Sequence, residues 1–307
     1  MRLSVEIFLF AASLALTAHA FDSAEWLAQR AMLDLEAERL RDAYAKYSTA
    51  DIEPAESIVV PVESYSNGAV KTSIAAKRAR FFVKEGFVWG EGVEIRQFRR
   101  DGSLESKIDA DNCVVDRDTR SGWIEGHAHA EFKDEAVLDG ERVYFSAMEE
   151  YLKIYSGTVL KADGKELRSR RADYDHQNGV AMFDGDVELR GREKKNDYTL
   201  DAGQAFAFLS GTNELRRVVA LGGVAVRSGD REGFCDRAVF TKRDSKIVMY
   251  GDGESVTARL VDNSKRRSEV EGVRITFWTD SEQVEVVDSK VSLDTNGLKL
   301  PKGPEGR

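Results

Sequence analysis

Residues 181–191 read AMFDGDVELRG, from Ala181 to Gly191. Ala181, Phe183, Gly185, Val187 and Leu189 alternate with Met182, Asp184, Asp186, Glu188 and Arg190. Successive side chains of an extended chain point to opposite faces, so the stretch predicts a strand with one apolar, buried face and one largely charged, wet face. The pattern returns in RVVALGGVAVRSG from Arg217 and in IVMYGDGESVTARL from Ile247. Gly92, Gly126, Gly157, Gly185, Gly223 and Gly253 mark its copies, about 28 to 38 residues apart. Each copy reads as two or three strands and cannot bury its apolar face alone. The copies must therefore stack into one elongated antiparallel sheet folded over on itself.

Proline and glycine punctuation agrees with this. The four prolines are Pro54, Pro61, Pro301 and Pro304, so the stretch between the middle two has none. Proline removes a ladder hydrogen bond, and its absence suits strands paired on both sides. Turns are expected at Asn67-Gly68, Asp101-Gly102, Asp139-Gly140, Asp163-Gly164, Asn178-Gly179 and Ser228-Gly229, pairs that favour tight hairpins.

The chain has 307 residues, is 42% hydrophobic and 32% charged, and carries a net charge of -9. That is enough apolar content for a sizeable core and too much charge for a chain embedded in a membrane, and the acidic balance gives no general attraction to nucleic acid. Residues 1–20 differ: one Arg, an apolar run and a small-x-small ending at Ala18-His19-Ala20 read as a signal peptide cleaved before Phe21. Residues 21–50 follow as an amphipathic helix and linker, with Asp22 and Glu25 in capping-box spacing and Trp26, Leu33, Leu40 and Tyr47 at heptad intervals beside Ala37 and Tyr44. The helix is expected to pack on the end of the sheet. The sheet domain spans 57–300, and 301–307 form a tail. The two cysteines, Cys113 and Cys235, fall in non-adjacent copies and are expected to be buried free thiols.

Chemistry-bearing clusters are few. His127 and His129 share a strand face at a feasible metal-ligand spacing, but a closed zinc site needs about four ligands and the sequence places no others beside them. They are read as part of an outward face. Paired acids (Asp109 and Asp111, Asp184 and Asp186, Asp252 and Glu254) recur in copy after copy, as solvated turn residues do and an active site does not. Basic groups such as Lys77, Arg78 and Arg80, or Arg168, Arg170 and Arg171, or Lys194 and Lys195, or Lys265 and Arg266, are read as solvated charge protecting sheet edges. There is no nucleophile elbow, phosphate loop or His-Glu-x-x-His motif, so no catalysis, metal or cofactor is expected.

The runs LRSRRADYDHQNGVAMFDGDVEL, LDAGQAFAFLSGTNELRRVVALGGVAV and FCDRAVFTKRDSKIVMYGDGESV resemble the OstA-like repeats of the periplasmic lipopolysaccharide transport proteins of the LptA and LptC type. The resemblance covers 122–289 as LptA-like repeats and, more loosely, 57–118 as an LptC-like opening part that includes GVEIRQFRRDGSLESKIDADNCVVD. It implies a β-jellyroll, a flattened channel of antiparallel strands whose apolar interior shelters the acyl chains of lipopolysaccharide in the periplasm. On that reading the inward positions Phe183, Val187, Leu189, Val224 and Val226, with Ile124, Ala128 and Phe132 upstream, line the lipid groove. The implied partners are lipopolysaccharide or a related glycolipid and other Lpt-type jellyroll proteins joined through edge strands near 58–62 and 284–293, with head-to-tail copies of the chain as a further arrangement. A ligand-free structural or adhesive β-solenoid and a secreted polysaccharide-acting β-helix enzyme are the alternatives. Small inward residues at Ala128, Ala130, Ala181 and Gly223 favour a carrier, because a packed solenoid would fill those positions with Val, Ile and Leu.

Overall fold

The computed structural model describes residues 24–293 apart from 133–136, 163, 194–195, 210–214, 253–256, 265–266, 279–280, 282 and 289. One helix, α1 (Ala24–Ser48), precedes a single antiparallel sheet that runs largely as a meander. The sheet begins with β1 (Ala55–Ser64), β2 (Val70–Phe82), β3 (Phe87–Phe98), β4 (Leu104–Asp116), β5 (Ser121–Phe132), β6 (Val137–Ser146) and β7 (Tyr151–Ala162). It continues through β8 (Lys165–Ser169), β9 (Arg171–Asp175), β10 (Val180–Glu193), β11 (Asn196–Leu209), β12 (Leu215–Ser228) and β13 (Arg231–Thr241). The last rungs are β14 (Lys246–Tyr250), β15 (Ala258–Asp262), β16 (Ser268–Gly272), β17 (Arg274–Trp278), β18 (Val284–Val287) and β19 (Lys290–Leu293).

Several of these are halves of one rung. β8 and β9 pair side by side with both β7 and β10, and β14 with β15 lies along β13 in the same way. The interruptions fall where the longer strands carry bulges. Register slips occur between Ile124 and His127, between Asp184 and Val187, and between Leu221 and Val224. Gly126, Gly185 and Gly223 sit at these slips and Gly157 at a fourth, opposite Asp139 and Glu141, and all four, like Gly92, have positive φ. A bulge adds a residue to one strand and bends it sharply. Laid rung beside rung, the bends form a crease across the sheet, stitched by backbone bonds such as Gly157 N–H to the Arg170 carbonyl and Arg170 N–H to the Gly185 carbonyl. Gly126 shows why glycine is needed here: its φ is +94° and a Cβ would lie 2.6 Å from the Asp111 carboxylate.

Folding along the crease brings the two halves of each rung together. Ala181 and Phe183 from before the bend of β10, and Val187 and Leu189 from after it, belong to one apolar cluster. This is the folded-over antiparallel sheet expected from the alternation, and the β-jellyroll that the resemblance implied. The sheet runs without interruption across residues 118–122, where β4 passes into β5 through a tight connection.

Three expectations are corrected. Asp139-Gly140 is no turn: both residues lie inside β6, where Gly140 gives room to Ile154 of β7. The acid pairs Asp109 with Asp111 and Asp184 with Asp186 lie mid-strand at or beside the bends, rather than in hairpin turns. Helix α1 packs on the outer face of the sheet and not on its end. Leu33, Ala37, Leu40 and Tyr47 are buried against Phe82, Trp89, Val114, Trp123, Tyr144 and Tyr151, one residue from each of β2 to β7. That cover explains Met182, which the alternation placed on the wet face and which is buried with Arg30 of the helix against its sulfur. The signal peptide, Asp22, Asp163, Lys194, Lys195, Gly253, Glu254, Lys265, Arg266 and the tail lie outside the described residues. Among the described residues no helix is long and apolar enough to cross a membrane.

Candidate functional site

Alternation along every rung delivers its apolar residues to the inside of the fold. Two interior clusters result. The first draws on β2 to β7 and holds Ile124 and Ala128, with Phe132 packed against it. The second runs from β8 to β17 and holds Phe183, Val187, Leu189, Val224 and Val226. All eight residues that the sequence pointed to therefore face the interior. The walls are rich in small side chains: Ala172, Ala181, Ala202, Ala205, Ala207, Ala220, Ala238 and Ala258 are all buried in the second cluster.

Where the clusters meet, at Leu160, the packing is incomplete. A partly open cavity enclosing about 80 Å³ lies there, between β5, β6 and β7 on one side and β9, β10 and β11 on the other. Its wall includes Phe132, Leu138, Leu152, Ile154, Tyr174, Ala181, Phe183 and Leu209. Phe132 and Tyr174 meet edge to face across it, with ring centroids 6.4 Å apart. Burial pushes the Tyr174 phenol up to about 12, so it stays neutral. One water needs roughly 10–15 Å³ of such space and two or more polar partners. Here the room suffices for several waters, but apart from Asp173 and Tyr174 the wall is apolar, and an alkyl chain is the better occupant.

Of the eight anticipated residues, Phe132 and Phe183 line this cavity and the other six continue the same inner face to either side. Leu152, Ile154 and Leu160 were not anticipated, although the alternation in YLKIYSGTVLKA carries the same signal as AMFDGDVELRG. Tyr174 and Leu209 reach the cavity through pairings that no local pattern reveals.

The outer face is charged and mostly neutralised within itself. Arg78 pairs with Glu91, Arg171 with Asp184 and Arg170 with Asp186 across neighbouring strands, while Arg190 pairs with Glu188 along its own. Among the described basic residues, these are held by acids of the same sheet, while Arg80 donates to the Ile52 and Ser48 carbonyls. Cys113 lies in the first interior cluster and Cys235 in the second, both buried and free.

Residues 166–283, from β8 to just short of β18, match the family described as LptA/(LptD N-terminal domain) LPS transport protein. The match covers less than half of the chain. The Lpt-type match begins where the second interior cluster begins, and the LptC-like reading of 57–118 lies outside it. Among solved structures, LptH, the LptA-homologous periplasmic component of the lipopolysaccharide transport device of Pseudomonas aeruginosa, is 14% identical over 47% of this chain and 90% of that one, with a TM-score of 0.34. The fold assignment rests on the strand pairing and not on that likeness. A search of the curated proteins found no match.

Proposed function

We propose that this chain is a non-enzymatic periplasmic carrier that shelters the acyl chains of lipopolysaccharide, or of a related glycolipid, along the inner face of its jellyroll. The observation that carries the reading is the apolar cavity at the junction of the two interior clusters, one wall of which, from β9 to β11, belongs to the segment that matches the LPS transport family. Each methylene moved from water to such a surface contributes about 0.8 kcal/mol, so a few methylenes in the cavity and more along the Ala-rich wall give useful affinity without any polar anchor. The glycan remains in water, where the charged outer face offers no competing apolar surface.

The sheet also has two free edges. β1 pairs only with β2, and β18 and β19 pair only with β17 and β16 among the described residues. An unpaired strand accepts another chain by β-augmentation, so neighbouring Lpt-type jellyrolls, or further copies of this chain, extend the apolar surface end to end toward the outer membrane. Pro61 within β1 is compatible with an edge and limits indiscriminate pairing there.

Filling the cavity tests the carrier reading. Ala181→Phe places a ring in the space beside Phe183, where the room limits the overpacking penalty to about 1–3 kcal/mol. The expected result is loss of lipopolysaccharide binding in a protein whose circular dichroism matches the parent. Unchanged binding by the folded variant would remove the cavity from the account.

A further inference from the structure

His127 and His129 project from the outer face of β5, just beyond its bulge, on the half of the sheet that α1 leaves uncovered. The register supplies what the sequence did not. His129 lies directly opposite Asp139 of β6, and His127 directly opposite Glu141, so the four side chains share one face as two cross-strand pairs. Ligand atoms of His127, His129 and Asp139 all lie within 4.8 Å of one another. The rings of the two histidines stack at 6.4 Å, and the Asp139 carboxylate is 2.6 Å from His129 Nδ1. On the opposite side His129 faces Asp109 of β4, but Lys107 occupies that carboxylate at 2.7 Å. Asp139 is thus the nearest carboxylate to the histidine pair, with Glu131 Oε1 at 3.4 Å from the other ring nitrogen, His129 Nε2.

We infer that His127, His129 and Asp139 form an open binding site for one divalent transition-metal ion of the Zn²⁺, Cu²⁺ or Ni²⁺ class. Two imidazoles with one carboxylate suit these borderline ions and not Mg²⁺ or Ca²⁺, which take oxygen ligands alone. Ligands about 2.0–2.1 Å from a tetrahedral ion have to draw together from their present separation. His127 is exposed and the other two are half-buried, so rotamer changes achieve this without moving the backbone. Three protein ligands leave a fourth position for water or for Glu141. A bound ion would add a second tie between β5 and β6 beside the bend, to the His129–Asp139 contact already there.

The test is calorimetric titration of the full, tag-free chain with ZnCl₂ near neutral pH. Saturation at one Zn²⁺ per chain is expected, with displacement by Cu²⁺ and none by Mg²⁺ or Ca²⁺. Affinity should fall about tenfold or more in His127→Ala, His129→Ala and Asp139→Asn, and should hold in His176→Ala, which removes a histidine outside the cluster. The thermal midpoint should rise with Zn²⁺ in the parent and not in the double variant H127A/H129A. Circular dichroism confirms folding, and H127A, at an exposed position, serves where a half-buried variant does not fold. Absence of saturable Zn²⁺ binding, or binding that survives in the folded double variant, overturns the site.

Discussion

Cys113 and Cys235 are separated by the architecture that their sequence spacing anticipated: each is enclosed by a different interior cluster. Burial pushes both thiols up to about 12. A pKa raised by folding favours the neutral thiol, so its stabilising effect is full below the ordinary thiol range and fades as pH rises through that range toward 12. Two outcomes follow: a thiol-blocking reagent at pH 8 should label both cysteines at least a hundredfold more slowly in native than in denatured protein, and stability should decline above about pH 9. Rapid labelling of the native chain would show that the interior opens more readily than the packing implies. Gly126 makes the complementary case for backbone. Gly126→Ala adds a methyl in a left-handed conformation against Asp111, which should destabilise by about 1–3 kcal/mol in chemical denaturation. At this scale the sequence was informative about side-chain direction, because alternation assigns every rung residue a face. The His129–Asp139 contact was not legible, because it depends on register between strands.

Helix α1 is an element whose surface could be read and whose location could not. Of the heptad Trp26, Leu33, Leu40 and Tyr47, the last three are buried with Ala37, Tyr44 is half-buried beside them, the Trp26 side chain lies outside the described residues, and Met32 and Leu35 are exposed. What the stripe meets is a second apolar patch, on the outside of β2 to β7, hidden within strands whose inner face is also apolar. Runs such as Cys113-Val114-Val115 and Tyr144-Phe145 are continuous rather than alternating because both faces are covered. Three ion pairs fix the helix at separate points among the described residues: Arg39 to the buried Asp116 at 2.6 Å, Asp34 to Lys153 of β7, and Arg30 to the buried Asp173 at 2.6 Å, which also accepts from the Tyr151 hydroxyl. Leu40 is fully buried, so Leu40→Ala should cost about 2–5 kcal/mol if the helix stays docked. Asp173→Asn removes one side of a buried pair and should release the N-terminal part of α1, seen as faster amide exchange over 30–40 with the sheet still protected. Loss of protection throughout the sheet would mean that the helix is part of the global fold and not a strap upon it.

At the scale of the whole molecule, the repeat explains both the interior and the edges. Each rung adds inward apolar residues and a bend, so the interior lengthens with every copy. Among the described residues the sheet begins at β1 and ends at β18 and β19, the places near 58–62 and 284–293 where the resemblance implied edges. Val59, on β1, is largely exposed. A site-specific crosslinker there should capture a neighbouring jellyroll at higher yield than one placed on β6, mid-sheet, and equal yields would speak against edge pairing. The cavity was less legible, because the gap between β5–β7 and β9–β11 depends on how the bent rungs pack and not on any local pattern.

The carrier account is tested most directly by photo-crosslinking in cells that make lipopolysaccharide. A photoreactive residue at Phe183, on the cavity wall, should label the glycolipid, and one at Glu188, on the outer face of the same strand, should not. Equal labelling at the two positions, or none at Phe183 in a folded protein, would contradict the claim that the jellyroll interior carries lipid.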